Sequence, residues 1–118
     1  MFVAVMGEEA LRRPVGGPDV MLAQLEHLVE VSEQRSNMRI QVVPLSVGEY
    51  NGLSGPFVIA ELNEASEFVF LDDSLNGRVV QGAEHVAEVL RHWELIKAEA
   101  LPQRLSMTLI REVLKSWP

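Results

Sequence analysis

The sequence predicts an α+β fold with a four- or five-stranded mixed or antiparallel sheet, covered on one face by about three helices. Three observations support this prediction. Short apolar segments bounded by glycine turns, residues 52–59 and 68–77, occupy the middle of the chain. Segments with the three- and four-residue apolar spacing of amphipathic helices flank them. The apolar spacing changes from that of a strand to that of a helix at Ala83, which separates a sheet region from C-terminal helices.

The N-terminal part is predicted to form a strand, a helix and a second strand. The apolar run at residues 2–6 is typical of a buried strand. Pro18 suits the first turn of a helix, because its missing N–H is not needed there, and an apolar stripe continues this helix to about Ser32. The β-branched residues within 39–45 predict the next strand, with Pro44 at an edge or a bulge.

Two hairpins are predicted in the middle of the chain. Apolar strands at residues 56–62 and 67–71 are separated by four residues, a length that suits a short hairpin. The dipeptide at 76–77, Asn-Gly, indicates a second hairpin turn into a strand at 78–80. Residues 72–74 are interpreted as turn residues rather than as paired catalytic carboxylates, since adjacent strand residues point to opposite faces.

Two helices complete the predicted fold. The first begins at Ala83, and Pro102 interrupts the chain before the second, which ends near Trp117. Burying a leucine or tryptophan is worth about 1.5–3 kcal/mol, so apolar residues without a partner in the same chain favour pairing. We therefore expect the last helix to form a homodimer through its apolar stripe. The stripe consists of Leu105, Leu109, Ile110, Val113, Leu114 and Trp117.

Length and composition indicate a single domain at residues 1–118. The chain is 47% hydrophobic and 23% charged, which is ordinary for a globular protein. No apolar run approaches the roughly 20 residues of a membrane helix, and the N-terminus lacks the basic region of a signal peptide. The absence of cysteine excludes disulfides and thiolate metal sites. We expect a cytoplasmic protein that does not enter a membrane.

The net charge of −7, from ten basic and seventeen acidic residues, argues against contact with phosphate backbones. No stripe of lysine or arginine offsets it, so direct nucleic-acid binding by this chain is not expected. The charges are interpreted as spread along the chain, where they keep it in solution.

The sequence predicts neither an enzyme nor a bound cofactor. His85, Glu88 and His92 share one face of the predicted helix, but they do not match a metalloprotease pattern, and a solvated helix surface is the favoured interpretation. The loop at residues 52–55 differs from a nucleophile elbow, because its second glycine comes one position early and Pro56 then opens a strand. A hydrolase remains only a third possibility, since Ser54 has no evident base.

Five residues are predicted to bind a protein partner. Arg12 and Arg13 form the only basic doublet, which is either a solvated surface or a salt-bridging patch. Tyr50, Leu53 and Trp117 lie in a loop or at the chain end, where large apolar side chains are typical interface anchors. The alternative for these three is that they close the hydrophobic core.

Four ordered segments of the chain form a recognisable pattern: residues 9–17 (EALRRPVGG), 24–28 (QLEHL), 39–45 (RIQVVPL) and 52–57 (GLSGPF). Together they resemble the C-terminal domain of antitoxin-like transcriptional regulators of actinobacteria that carry an Xre-type helix-turn-helix at the N-terminus. The last helix, at residues 109–113, is similar to the ending of that domain, so the resemblance covers nearly the whole chain.

The resemblance implies a regulatory, partner-binding module, often encoded beside a small acidic partner protein with a toxin-like role. It supplies no catalytic residues. The sequence departs from the family pattern because the DNA-reading domain and the first, mostly helical part of the C-terminal domain are missing. We therefore expect either a fragment of a longer regulator or a short relative that does not recognise an operator by itself.

Two functions are consistent with this sequence. The favoured one is a non-enzymatic interaction module that binds a protein partner or itself; the alternative is a small-molecule sensor. A pocket lined with converging polar groups favours the sensor. A flat apolar patch rimmed by charge favours the interaction module.

Overall fold

The computed structural model describes residues 1–63, 66–72 and 75–118. Within these residues the chain contains four α-helices, a two-stranded sheet and a three-stranded sheet. The predicted α+β class is confirmed. The predicted single sheet of four or five strands is wrong, since the strands are divided between two sheets.

The chain divides into two compact units. Unit 1 comprises Met1–Gly48 and Glu99–Pro118, and unit 2 comprises Glu49–Ala98. Each contains one of the two sheets. That residues 1–118 act as a single domain stays a prediction.

The sheet of unit 1 pairs β1 (Phe2–Gly7) with β2 (Met38–Val43) in parallel. Parallel strands need a long crossover, which is provided here by α1 (Glu9–Arg12) and α2 (Pro18–Gln34). Pro18 occupies the first turn of α2 as predicted. The short helix α1 was not predicted, because four residues are too few to show a helical period.

The edge of β2 that does not pair with β1 is occupied by another segment, which explains why no third strand is added there. The carbonyl of Val42 accepts a hydrogen bond from the Leu101 N–H at 2.9 Å, and its N–H donates to the Ser106 Oγ at 2.9 Å. These are the backbone groups that a third strand would use. The segment leading into α4 (Gln103–Ser116) therefore occupies the edge where a further strand was expected.

The core of unit 1 lies where α2 and α4 meet β2. Leu25 of α2, Val42 of β2 and Ile110 of α4 are fully or almost fully buried in one cluster. Leu109, Leu114 and Trp117 pack against this cluster. Most of the apolar stripe of the last helix is therefore packed within unit 1.

Unit 2 contains an antiparallel meander and α3 (Ala83–Glu99), whose last residue lies in unit 1. Both predicted hairpin pairings are confirmed by the register. The predicted turn residues 64–65 and 73–74 lie outside the described residues. The meander consists of β3 (Phe57–Asn63), β4 (Ser66–Asp72) and β5 (Gly77–Val80).

No helix within the described ranges combines the length and the apolar character that crossing a bilayer requires.

Candidate functional site

Arg12, one of the predicted partner-binding residues, is engaged within unit 1. Its Nε donates a hydrogen bond to Glu8 Oε2 at 2.7 Å, one helical turn earlier. The other carboxylate oxygen of Glu8 accepts the N–H of Leu45 at 3.0 Å. The Arg12 side chain therefore helps to hold the end of β1 against the segment that follows β2, and its neighbour Arg13 is exposed.

The carboxylate of Glu8 is buried and is stabilised in its charged form. Burial acts to raise the pKa of Glu8, but the Leu45 N–H and the Arg12 guanidinium outweigh it. The pKa of Glu8 consequently lies below its ordinary value of 4.5. Glu8 therefore has a structural role, and its carboxyl group is not an acid that donates a proton at neutral pH.

Trp117, the predicted anchor at the chain end, packs against the core of unit 1. Its indole Nε1 donates a hydrogen bond to the carbonyl of Leu11 at 3.2 Å. Tryptophan N–H groups usually find such a partner when the ring is buried. Of the two interpretations that the sequence left open for Trp117, this contact supports core closure.

Tyr50 and Leu53, the remaining two predicted anchors, lie together in unit 2. The ring of Tyr50 covers Gly52 so closely that a Cβ on Gly52 would lie 2.3 Å from the ring. Leu53 is exposed in the short 3-10 turn Asn51–Ser54. Both residues line a shallow groove of about 620 Å³ that His92 of α3 also lines.

A second groove of unit 2, of about 690 Å³, is lined mainly by β5 and α3. Its polar walls include Asp72, Arg78, His85, Glu88 and His92. The sequence interpretation of the last three as solvated helix residues is incomplete, because they line a concave surface. Among the residues that the structure describes, no group of carboxylates and imidazoles has the geometry to hold a metal ion.

Ser54 and His92 line both grooves, although no sequence pattern predicted that they lie near each other. The hydroxyl of Ser54 donates a hydrogen bond to the carbonyl of Asn51 at 2.9 Å. That bond belongs to the 3-10 turn. The observed hydroxyl contact therefore serves the loop rather than the activation of a nucleophile.

The most distinctive surface of unit 2 is one face of its sheet, which we call the outer face: Val58, Ala60, Phe68, Phe70 and Val79. Val58, Phe70 and Val79 are direct cross-strand neighbours, so their side chains project from the same side. They are 57%, 41% and 60% exposed. A solvated face of an antiparallel sheet normally carries polar residues, and this row carries none.

The opposite side of the same strands, the inner face, is covered. Val69 is fully buried, and Phe57, Ile59 and Leu71 are half-buried. The ring of Phe57 meets Trp93 of α3 edge to face, with ring centroids 6.4 Å apart. The sheet is therefore apolar on both sides, but only the inner face is shielded from solvent.

Carboxylates are distributed unequally between the two faces of the sheet. Glu61 and Glu67 are paired directly across β3 and β4, but they alternate with Ala60 and Phe68 and therefore project from the inner face, whereas Asp72 at the end of β4 shares the parity of Phe70. Unit 2 holds nine of the seventeen acidic residues and three of the ten basic residues, which gives it a formal charge of −6. Most of the net negative charge is thus carried by unit 2.

The outer face was not predicted, although the apolar runs that form it are present in the sequence. The segments 57–60 and 68–71 are continuous apolar runs, which is typical of strands covered on both faces. A sheet with helices on one face only should instead show alternation. The unequal net charges of the two units follow from the sequence only once the boundary between the units is known.

Comparison with known proteins identifies the family. No curated protein and no solved structure matches the chain. A family model described as a domain of unknown function (DUF5753) matches residues 1–112. Since the match spans nearly the whole sequence, the chain belongs to the DUF5753 family.

Proposed function

We propose that this chain is a non-enzymatic, partner-binding module of an antitoxin-like transcriptional regulator. The observation that carries the proposal is the outer face, an exposed apolar surface on an antiparallel sheet. Contiguous apolar surfaces of this kind are characteristic of protein interaction sites. The four ordered sequence segments, which resemble the corresponding domain of Xre-type regulators, support the link to such regulators.

In this proposal the DNA-reading element belongs to another part of the regulator. The acidic chain itself repels phosphates and does not bind nucleic acid directly. In the same proposal, the partner is a small protein that is encoded nearby. The regulator functions in the cytoplasm and is of actinobacterial origin. A homodimer belongs to it too, although the packing of the last helix within unit 1 leaves less apolar surface there than expected.

The proposed function is tested by co-expression of the chain with the product of the neighbouring gene. We expect a complex whose mass, measured by light scattering, equals the sum of its components. The double variant Val58→Thr/Val79→Thr removes apolar surface without changing charge, and it should abolish the complex. A complex that survives this variant contradicts the proposal.

A small-molecule sensor is the second candidate, and the groove lined by Arg78, His85 and His92 favours it. Polar groups of both charge signs converge there with apolar neighbours, as they do in ligand sites. The measurement is the thermal unfolding of the chain with a panel of charged metabolites. A rise in melting temperature that Arg78→Gln removes, together with no protein partner, would favour the sensor.

A further inference from the structure

One edge of the two-stranded sheet in unit 1, the outer edge of β1, has no partner strand. Phe2 and Glu8 donate their N–H groups to backbone carbonyls at the two ends of β2. Because backbone groups alternate in direction along a strand, the N–H and C=O groups of Val3, Val5 and Gly7 point away from β2. Within the described ranges no other segment forms backbone hydrogen bonds with this edge.

The other three sheet edges among the described residues carry features that hinder the addition of a strand. Leu101 and Ser106 bond to the second edge of β2. The register of β3 is irregular between Glu61 and Asn63, and β5 is only four residues long and includes the charged Arg78. β1 has none of these features, since its register with β2 is uninterrupted and it contains no charged residue and no proline.

The unpaired backbone groups specify an extended backbone as the occupant of the β1 edge. Donors and acceptors that alternate along an edge are satisfied together by another strand, as in strand addition. Val3 and Val5 are half-buried and β-branched, which suits a strand with a neighbour on each side. The charged groups beside the edge then decide which strand fits.

Two copies of β1 fit each other in an antiparallel register centred on Val5. Antiparallel pairing requires that residues with outward-pointing groups face each other. The register that places Val5 opposite Val5 of the second copy also places Val3 opposite Gly7, so all the outward-pointing residues of both strands are paired. In the next register in either direction, one of them lies opposite a residue outside β1.

Opposite charges meet in this register. The carboxylate of Glu9 lies over Gly7, where it occupies the space that a Cβ would need. Arg39 is the neighbour of Val3 on β2 and projects from the same face of the sheet. When Gly7 faces Val3 of the second copy, Arg39 of that copy lies two strands away, about 10 Å, which these two long side chains span together.

Both charged side chains are available for such a contact. Glu9 and Arg39 are exposed, and the ion pairs among the described residues involve neither of them. A twofold axis at Val5 forms the contact twice, once on each side of the axis. Because β1 itself is uncharged, the second copy brings no like charges together along the paired strands.

We propose that a second copy of this chain binds the outer edge of β1, antiparallel to it and with a twofold axis at Val5. The two sheets then join into one four-stranded sheet in the order β2–β1–β1–β2. This inference rests on the homodimer that belongs to the proposed function. It assigns the dimer contact to β1 instead of the apolar stripe of the last helix.

The first test measures the dissociation constant of the dimer by sedimentation equilibrium of the full chain. We expect a dimer at micromolar concentration. Glu9→Arg and Arg39→Glu should each weaken it at least about tenfold, because each replaces two attractive contacts with two repulsive ones. The double variant Glu9→Arg/Arg39→Glu restores opposite charges and should regain most of the affinity.

A matched control separates this contact from a general effect of charge. Glu26→Arg makes the same charge change as Glu9→Arg at another exposed position of unit 1, on α2, and it should leave the dissociation constant unchanged. All of these substitutions are at exposed positions, and circular dichroism checks that each variant is folded.

Disulfide formation tests the register. The chain has no cysteine, so Val5→Cys and Val3→Cys each introduce a single thiol. In the proposed register the Cα atoms of the two substituted Val5 positions lie about 5.5 Å apart, which suits a disulfide. The two Val3 positions are offset by four residues, or about 13 Å along the strands, which is too far. We expect mild oxidation to give a covalent dimer of the Val5→Cys variant alone.

A monomeric wild-type chain overturns the inference, as does a dimer that Glu9→Arg leaves intact or that the double variant does not restore. Equal crosslinking of the two cysteine variants, or a dimer that Val58→Thr/Val79→Thr dissociates, also overturns it. Failure of the proposed function is a separate result: the neighbouring gene's product would then fail to bind the chain, while the dimer would persist.

Discussion

Nine of the twelve buried apolar side chains among the described residues lie in unit 1, whereas one face of the sheet in unit 2 is left uncovered. In unit 1 the Ser106 hydroxyl and the Glu8 carboxylate both accept backbone N–H groups at the ends and edge of β2. In unit 2 three cross-strand apolar neighbours remain 41–60% exposed. From this difference we propose that unit 1 is the scaffold and that unit 2 carries the binding surface.

The charges follow the same division. Unit 2 carries −6 of the net charge of −7, so unit 1 is close to neutral. In the proposed function, the net negative charge of unit 2 would help to select its partner.

The largest expected effect is in the core of unit 1. Ile110→Ala should lower the free energy of unfolding by about 2–5 kcal/mol, because it removes a fully buried side chain and leaves a cavity. Urea denaturation measures the change. Leu105→Ala on the same helix is the control. Because Leu105 is exposed, this substitution should lower the free energy of unfolding much less. Equal losses would contradict the assignment of unit 1 as the packed scaffold.

Loss of the Ser106 hydroxyl should have the next largest effect. Ser106→Ala leaves the buried N–H of Val42 without its acceptor, which costs about 1–3 kcal/mol of stability. Thr108→Ala is the matched control, because its exposed hydroxyl only donates to the carbonyl of Arg104 on its own helix. If the two variants unfold at the same denaturant concentration, the Ser106 bond does not secure the edge of β2.

The hydrogen bonds that Glu8 accepts from Arg12 and Leu45 predict that the free energy of unfolding depends on pH. Because the pKa of Glu8 is lowered in the folded chain, its contribution is fully present above the ordinary value of 4.5 and is lost as the pH falls through the folded value. Glu8→Gln should therefore be less stable than wild type at pH 7, and this difference should shrink on acidification. Denaturant melts from pH 7 to pH 3 measure it, with the exposed Glu26→Gln as control. A difference that grows on acidification would contradict the sign.

The outer face should have the smallest effect on stability. Val58→Thr/Val79→Thr exchanges side chains that are more than half exposed, so the free energy of unfolding should change by about 0.5 kcal/mol or less. Thermal melts measure the change. A loss of several kcal/mol would mean that the outer face is part of the fold of unit 2.

Much of the local structure was predictable from the sequence. Pro18 marked the start of α2, the β-branched run after Met38 predicted β2, and the Asn-Gly dipeptide before Arg78 predicted the pairing of β4 with β5. These features depend on local chemistry, namely a missing N–H, β-branching and a turn preference.

The division into two sheets was not predictable in this way. It depends on Leu101 and Ser106, which occupy the edge of β2 from about 60 residues away in sequence, and no local pattern encodes that contact. Trp117 was predicted to be an interface anchor for the same reason, because its partner Leu11 becomes a neighbour only in the folded chain. The partner of Arg12, in contrast, is Glu8, only four residues away, but the helix that pairs them was too short to be predicted. The apolar runs that form the outer face are visible in the sequence, but the sequence does not show that this face is exposed.

The central claim is that a partner covers the outer face, and site-specific labelling tests it most directly. The chain has no cysteine, so Val79→Cys and Val20→Cys each introduce a single reactive thiol. Both positions are more than half exposed, and both thiols should react rapidly with a maleimide in the free chain. When the product of the neighbouring gene is bound, we predict at least about tenfold slower labelling of the Val79→Cys variant and unchanged labelling of Val20→Cys. A complex in which the Val79→Cys variant reacts as fast as it does in the free chain would contradict the account.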